Sequence, residues 1–451
     1  MSVRSLASRA LLVIAVLGVI RLEILAARQV PLQYPVLVLR YMVAPAIIGG
    51  LAAVALFVKP SVRDAIARCF GAGAVALLVV EALLLREHGS YTPATHHPRP
   101  PGVATWDDRS PLMVDLDLRA QGVTAYPFME RQRLELAYRT ASTPGGLYPL
   151  AGVANVLTVY CNEEGTFADF VSDRHGFNNP PNVWDHPVDV ALIGDSFAMG
   201  ACVDTSETPA AQIRRARPAI SLGMNGNGPL SELGILREYA APLAPRHVVW
   251  LYFPGNDFLD FDSERTGGFL NQYRSPAFRQ SLIGRQTEID DMLRRFLDNE
   301  VKTDSARLRN AWRINVQQFL TLRRVRERLF PLLLADEARV ALPCAADRLE
   351  QFTDLIDQAR SEVERWGGQF YFLYLPMWLT PVQACQPPHD TLIGSLEKRG
   401  IAVIDVQARF DSEADQRRLR PPEPGKVPGR HLTAAGYALV ARAILDRLNG
   451  P

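Results

Sequence analysis

The residues best suited to covalent chemistry fall in four short blocks. Gly194-Asp195-Ser196-Phe197 follows the apolar run Val188 to Ile193. A serine at a strand-to-helix turn has its hydroxyl exposed at the edge of the sheet, beside backbone N–H groups that lack intrahelical partners. The same logic operates in nucleophile elbows, although the G-x-S-x-G spacing is absent here. Ser221-Leu-Gly-Met-Asn-Gly-Asn-Gly-Pro229 follows a second apolar run, and Pro254-Gly-Asn-Asp257 follows a third. Gly429-Arg-His-Leu-Thr-Ala-Ala-Gly436 opens the last helical segment. Singly, each block is weak. A GDS tetrapeptide ending in Phe or Leu arises by chance in on the order of a few per cent of chains this long. Gly226 fits an ordinary turn, Asn256 a turn cap, and His431 the approach to an N-cap at Thr433.

The elements that must position these blocks read as α/β. Val188 to Ile193, Ile220 to Leu222, His247 to Phe253, Phe370 to Leu375 and Ala402 to Val406 are short apolar runs of the kind that form buried parallel strands. Helical patterns lie between them. In the last, Tyr437, Val440, Ile444 and Leu448 share one face behind Thr433. Alternating strands and helices imply a parallel sheet covered on both faces, with sites at the carboxyl ends of its strands. All four blocks then converge on one edge of the sheet.

From about Asp173 to Leu448 the chain resembles the SGNH (GDSL-like) hydrolase superfamily, whose Ser, Gly, Asn and His blocks occur here in family order. Ser172-Asp-Arg-His-Gly-Phe-Asn-Asn179 is also similar to the segment before the nucleophile block in membrane-anchored bacterial members. The resemblance implies a three-layer α/β/α sandwich with a five-stranded parallel sheet. It implies Ser196 as nucleophile and His431 as general base. Ser196 N–H, Gly226 N–H and the Asn256 amide would form the oxyanion hole. The chemistry agrees. A serine hydroxyl needs a base within reach, an imidazole titrates near working pH, and each fixed oxyanion donor is typically worth about 3 kcal/mol of barrier.

One departure matters. The family places an aspartate two or three residues before the histidine, where this chain has Gly429 and Pro428. Neither side chain can orient an imidazole. A Ser-His dyad, a backbone carbonyl or a distant acid must serve instead, with Asp405 and Glu423 as unranked candidates.

The first ninety or so residues belong to a different physical environment. Three apolar stretches, about Leu6 to Leu25, Val36 to Val58 and Ala67 to Leu85, each approach the roughly twenty residues that cross a bilayer as a helix. A cleaved signal peptide is the alternative for the first. Arg21, Glu23, Arg40 and Glu81 lie near span ends, where long side chains snorkel. Arg4 and Arg9, with Lys59, Arg63 and Arg68, put those loops in the cytoplasm and everything after Leu85 on the other side. The expected organisation is a membrane anchor over 1–88, a linker and accessory segment over 89–150, and a hydrolase-like domain over 151–451. A helical, arginine-rich insertion interrupts that domain at about 261–341. It reads as a solvated amphipathic pair, with a cap over the site or contact with anionic lipid headgroups as alternatives.

The expected location is the bacterial cytoplasmic membrane, with the catalytic domain facing the periplasm or exterior. There disulfides are permitted, and Cys344 with Cys385 is the preferred pair, weighed evenly against separate thiols. No metal or cofactor is implied. No cysteine spacing resembles a zinc site, and His96-His97 reads as part of a solvated, proline-rich linker. A formal net charge of +1 argues against nucleic acid as a partner. Three functions remain. One is an esterase removing acyl groups, acetyl among them, from a cell-surface or exported carbohydrate or lipid-linked glycan. The second is an O-acyltransferase using the same Ser196 acyl-enzyme, with a membrane-bound partner delivering the acyl donor. The third is a non-catalytic glycan-binding relative.

Overall fold

The computed structural model describes residues 3–29, 42–88, 106–141, 146–163, 165–266, 268–326, 328, 346–377, 387–414, 418–420 and 431–450. The chain divides into two compact units, Met1–Pro93 with Arg307–Val340, and Ala94–Ala306 with Ala341–Pro451.

The larger unit carries two sheets. Strands β1 (Ala125–Pro127), β2 (Leu157–Cys161) and β3 (Ala168–Val171) form the smaller one. β1 runs parallel to β2, and β2 antiparallel to β3, with a register shift between Val159 and Cys161. Strands β4 (Val190–Ile193), β5 (Ala219–Ser221), β6 (His247–Tyr252), β7 (Gln369–Tyr374) and β8 (Ala402–Asp405) form the larger sheet. Every pairing in it is parallel, in the order β5-β4-β6-β7-β8. The α/β class and the parallel sheet read from the sequence are those of the structure.

The period-two alternation of side chains explains the layering. Ala191, Ile193, Val248, Trp250, Phe370 and Phe372 point into one apolar cluster, which also takes Phe352, Ile356 and Val363 from the helix Ala346–Arg365. Val190, Leu192, Val249, Leu251, Tyr371 and Leu373 point into the other, with Ile213 and, from the helix Ala434–Asn449, Tyr437, Val440 and Ile444. Burying each Val, Leu, Ile or Phe side chain stabilises the fold by about 1.5–3 kcal/mol, so both faces of the sheet need their helices. The segment between the linker and the hydrolase-like region shares this core. Tyr126, Phe128, Met129 and Leu134 lie in the same cluster as Trp250. Sequence order places β5 on one side of β4 and β6 on the other. The chain therefore changes direction at β4, the kind of switch point at whose carboxyl end sites form in parallel sheets.

In the smaller unit, one helix among the described residues, Pro60–Arg86, is long and apolar enough to cross a membrane. The first apolar stretch lies in the helix Val3–Gln29, and the second, described from Met42 onward, forms the shorter helix Ala44–Ala55. Arg40 lies outside the described residues. Glu81 does not snorkel. It is fully buried, and its carboxylate accepts hydrogen bonds from the Arg324 and Val325 N–H groups at 2.9 and 2.8 Å. The arginine-rich insertion is not one body. The helix Gln286–Arg309 buries Ile289, Leu293 and Leu297 in the core of the larger unit, whereas the helix Ala311–Leu320 falls in the smaller unit.

Candidate active site

Ser196 is the first residue of the short helix Ser196–Met199, directly beyond β4. Gly194 makes the turn possible. Its φ is +154°, and a Cβ there would stand 2.9 Å from the Ala198 Cβ and 3.0 Å from the Leu251 carbonyl oxygen. Asp195 caps the helix by accepting the Phe197 N–H at 2.9 Å. Its other carboxylate oxygen lies 3.5 Å from Ser196 Oγ. Asp195 is buried, and desolvation raises its pKa against the lowering effect of its hydrogen bonds and of nearby His431. Ser196 is itself buried, with 4% exposure, so its hydroxyl sits in a dry setting.

The second block lies beyond β5. Gly226 takes φ +75°, the left-handed region that favours glycine. Arg131, at the start of the helix Arg131–Thr140, donates from Nε to the Gly226 carbonyl at 2.7 Å, and its own N–H donates to the Asn225 carbonyl at 3.1 Å. From the other side, Asn179 clasps the strand end. It accepts the Ser221 N–H and donates to the Ser221 carbonyl, at 2.9 and 2.7 Å. Asn179 also donates to Asp173, whose carboxylate further accepts from the His175 and Phe177 N–H groups and the Trp184 indole. The Ser172–Asn179 segment thus acts as a brace for the glycine loop.

Asn256 reaches the site from the turn after β6, but its amide is occupied. Nδ2 donates to Asp195 and Asp260, each at 3.0 Å. The Ser196 N–H, at the first helical position, and the Gly226 backbone are the expected oxyanion donors that depend on no side chain. Around Asn256 lies a band of buried carboxylates. Desolvation raises Asp260 to about 7, although the nearby Arg131 opposes the shift. Asp257 and Glu232 are raised well above the usual carboxylate range, again mainly by burial and then by neighbouring carboxylates.

His431 meets a carboxylate that the sequence reading did not select. Its Nδ1 lies 2.9 Å from Glu163 Oε1, and its backbone N–H donates to Glu163 Oε2 at 3.0 Å. One carboxylate thus fixes the ring and the backbone of the same histidine, and both side chains are largely buried, at 15% and 16% exposure. The ring packs against Phe197, with centroids 5.4 Å apart. With Nδ1 on the carboxylate and near the Cys202 sulfur, Nε2 is the ring nitrogen that meets no partner among the described residues.

Of the two acids considered from sequence, Asp405 is placed elsewhere. It ends β8 and contacts His389 Nε2 at 2.8 Å. Glu423 lies outside the described residues, as do Gly429, Pro428 and the His96-His97 pair. The preferred cysteine pair, Cys344 and Cys385, also lies outside them. The structure joins Cys161 to Cys202, and Cys69 is a free thiol. Glu163, Cys202 and His431 bring one potential ligand atom each within 4.8 Å of one another. The Cys202 sulfur is committed to the disulfide, so it offers no thiolate to a metal.

A signal for Glu163 existed. Asn162-Glu163-Glu164 directly follows the apolar run Leu157 to Cys161, which places a carboxylate just past a strand end. It lies upstream of the nucleophile block, far in sequence from the histidine it serves.

No protein-family model matches the chain, and no curated protein matches it. Among solved structures, the chain is similar to a protein assigned to the G-D-S-L lipolytic family from Desulfitobacterium hafniense DCB-2. That likeness has 15% identity and a TM-score of 0.29, and covers 57% of this chain and 97% of the other.

Proposed function

We propose that this chain is a serine ester hydrolase in which Ser196, His431 and Glu163 form the catalytic triad. The observation that carries this reading is the paired contact of Glu163 with both the ring and the backbone of His431, whose ring packs on Phe197, the residue after the buried Ser196 at the switch point of a parallel sheet. The Ser196 hydroxyl turns from Asp195 toward His431 Nε2, loses its proton there and attacks the acyl carbon. The tetrahedral oxyanion is held by the Ser196 and Gly226 N–H groups, and His431 returns the proton to the leaving alcohol. Contacts of this kind commonly tighten only when substrate binds. Water then releases the acyl group from Ser196 by the same steps.

We assign the substrate to O-acyl groups, acetyl foremost, on a cell-surface or exported carbohydrate. The chain is anchored through its N-terminal helices, with the catalytic unit outside the cytoplasmic membrane. Anchoring supports this choice because it raises the effective concentration of a membrane-proximal acceptor. The test is to treat the full chain in detergent with a fluorophosphonate and measure intact mass, alongside Ser196→Ala and His431→Ala. One adduct in the parent and none in either variant is the expected result. An unlabelled but folded parent would overturn free-standing hydrolysis. Labelling with acyl release only when a sugar acceptor is added would redefine the enzyme as an acyltransferase.

A further inference from the structure

The Cys161–Cys202 disulfide joins the two halves of the proposed site. Cys161 is the last residue of β2, two positions before Glu163. Cys202 stands just beyond the nucleophile helix, which ends at Gly200. The bridge therefore ties the segment carrying the acid to the segment carrying Ser196, with His431 set between them. Three further observations bear on it. The register of β2 against β3 shifts between Val159 and Cys161, the kind of irregularity that re-aims a side chain beyond a strand. Cys202 holds φ +64°, which non-glycine residues seldom adopt unless their surroundings enforce it. Its sulfur touches His431 Nδ1 at 3.4 Å, on the same nitrogen that meets Glu163.

The Glu163 loop is also tied to the accessory segment. Asn162 donates to the Asp107 carbonyl at 2.7 Å and accepts the Gly165 N–H at 2.8 Å. These bonds shape the loop, and the disulfide is the covalent link between it and the nucleophile helix.

We infer that the Cys161–Cys202 disulfide is a positioning element of the catalytic arm, so that hydrolysis depends on its oxidation. This inference rests on the triad proposed above. A chain whose two thiols are still reduced has Ser196 and His431 but no covalent registration of Glu163. The chain becomes fully competent only after an external disulfide, in an oxidising compartment, takes two electrons and two protons from the pair by thiol–disulfide exchange and leaves as a dithiol. A dithiol reverses the step. Its thiolate attacks one sulfur to give a mixed disulfide, its second thiol closes the ring, and Cys161 and Cys202 leave as thiols while the reagent is oxidised.

The test uses the full chain in detergent and hydrolysis of 4-nitrophenyl acetate, with reductant removed before assay. It compares the parent, Glu163→Gln, Cys161→Ser/Cys202→Ser, and the three changes combined. The expected result is a fall in kcat on the order of a hundredfold in the cysteine variant, similar to Glu163→Gln, with KM unchanged. The combined variant should be no slower than Glu163→Gln alone, because the bridge acts through that carboxylate. Dithiol treatment should slow the parent but leave the cysteine variant at its own rate, which separates this bridge from the remaining cysteines. The inference is overturned if the cysteine variant keeps the parental rate. It is equally overturned if the two losses multiply, or if the variant has melted at the assay temperature. A parent that neither labels at Ser196 nor hydrolyses ester takes down the triad as well, whereas an active parent indifferent to the bridge takes down this inference alone.

Discussion

Two histidines in this protein meet carboxylates at nearly the same distance, and the proposed triad assigns catalysis to only one. His431 Nδ1 lies 2.9 Å from Glu163, and His389 Nε2 lies 2.8 Å from Asp405. His389 is engaged at both ends, because its Nδ1 meets Asp390 at 2.7 Å. It opens the helix His389–Lys398, half-buried against the end of the sheet's edge strand, with Asp390 fully exposed. His431 is engaged at one ring nitrogen, is largely buried and lies against the nucleophile helix through Phe197. A histidine–carboxylate distance therefore says little by itself. The features that fit His431 rather than His389 to the proposed role of general base are a ring nitrogen with no partner among the described residues and a drier setting against the nucleophile helix.

The largest expected effect breaks the comparison at its catalytic side. Ser196→Ala and His431→Ala should each lower kcat by three orders of magnitude or more, roughly 10³–10⁶, as removal of members of such triads does. His389→Gln should leave kcat within about twofold in the same steady-state assay. A comparable loss at His389 would mean that the two pairs had been assigned the wrong way round.

The next effect sharpens the comparison at the carboxylates. Glu163→Gln should cost on the order of 10²–10⁴ in kcat, because the amide no longer holds the imidazole in one tautomer. Asp405→Asn should cost nothing measurable. Steady-state kinetics on a small activated ester reads both, and a loss at Asp405 would restore it as the orienting acid.

That Glu163 escaped the sequence reading while Ser196 did not has a physical reason. Ser196, Gly226 and Asn256 are positioned by the strands that precede them, so each is legible from an apolar run and the few residues after it. The five strands of the larger sheet were legible in the same way. The Glu163–His431 contact depends on a second, three-stranded sheet built from β1, β2 and β3. It joins residues 268 positions apart in sequence. Tertiary pairing of that span leaves no local periodicity. Cys161 and Cys202 present the same difficulty, because sequence cannot fix cysteine connectivity. The division of the arginine-rich insertion between two units was likewise hidden, since both of its long helices read alike as amphipathic.

Buried carboxylates should also respond to pH where exposed ones do not. Asp260, raised to about 7 mainly by desolvation, binds a proton in the folded state at pH values where the unfolded chain has released it. Its contribution to stability is fully present below its unfolded pKa near 4 and is lost as pH rises through about 7. Asp260→Asn should therefore raise the melting temperature by several degrees at pH 8 and by much less at pH 5. Equal shifts at the two pH values in thermal melts would show that Asp260 is not the titrating group.

The smallest effect belongs to the exposed pair. Desolvation alone would lower the His389 pKa, but the hydrogen bonds the ring donates to Asp390 and Asp405 outweigh it and hold the imidazole above its ordinary value. A raised histidine pKa stabilises the folded state below the unfolded pKa of about 6.5, and that stabilisation disappears as pH rises through the folded value. Much of the pair faces solvent, so screening keeps the gain small. His389→Gln should lower the melting temperature by a degree or two at pH 5.5 in low salt, with the difference gone by pH 9 and reduced at high salt. The opposite trend, a penalty that grows with pH, would mean that the neutral ring is the form the fold prefers. His389 would then resemble the buried base more closely than its exposure allows.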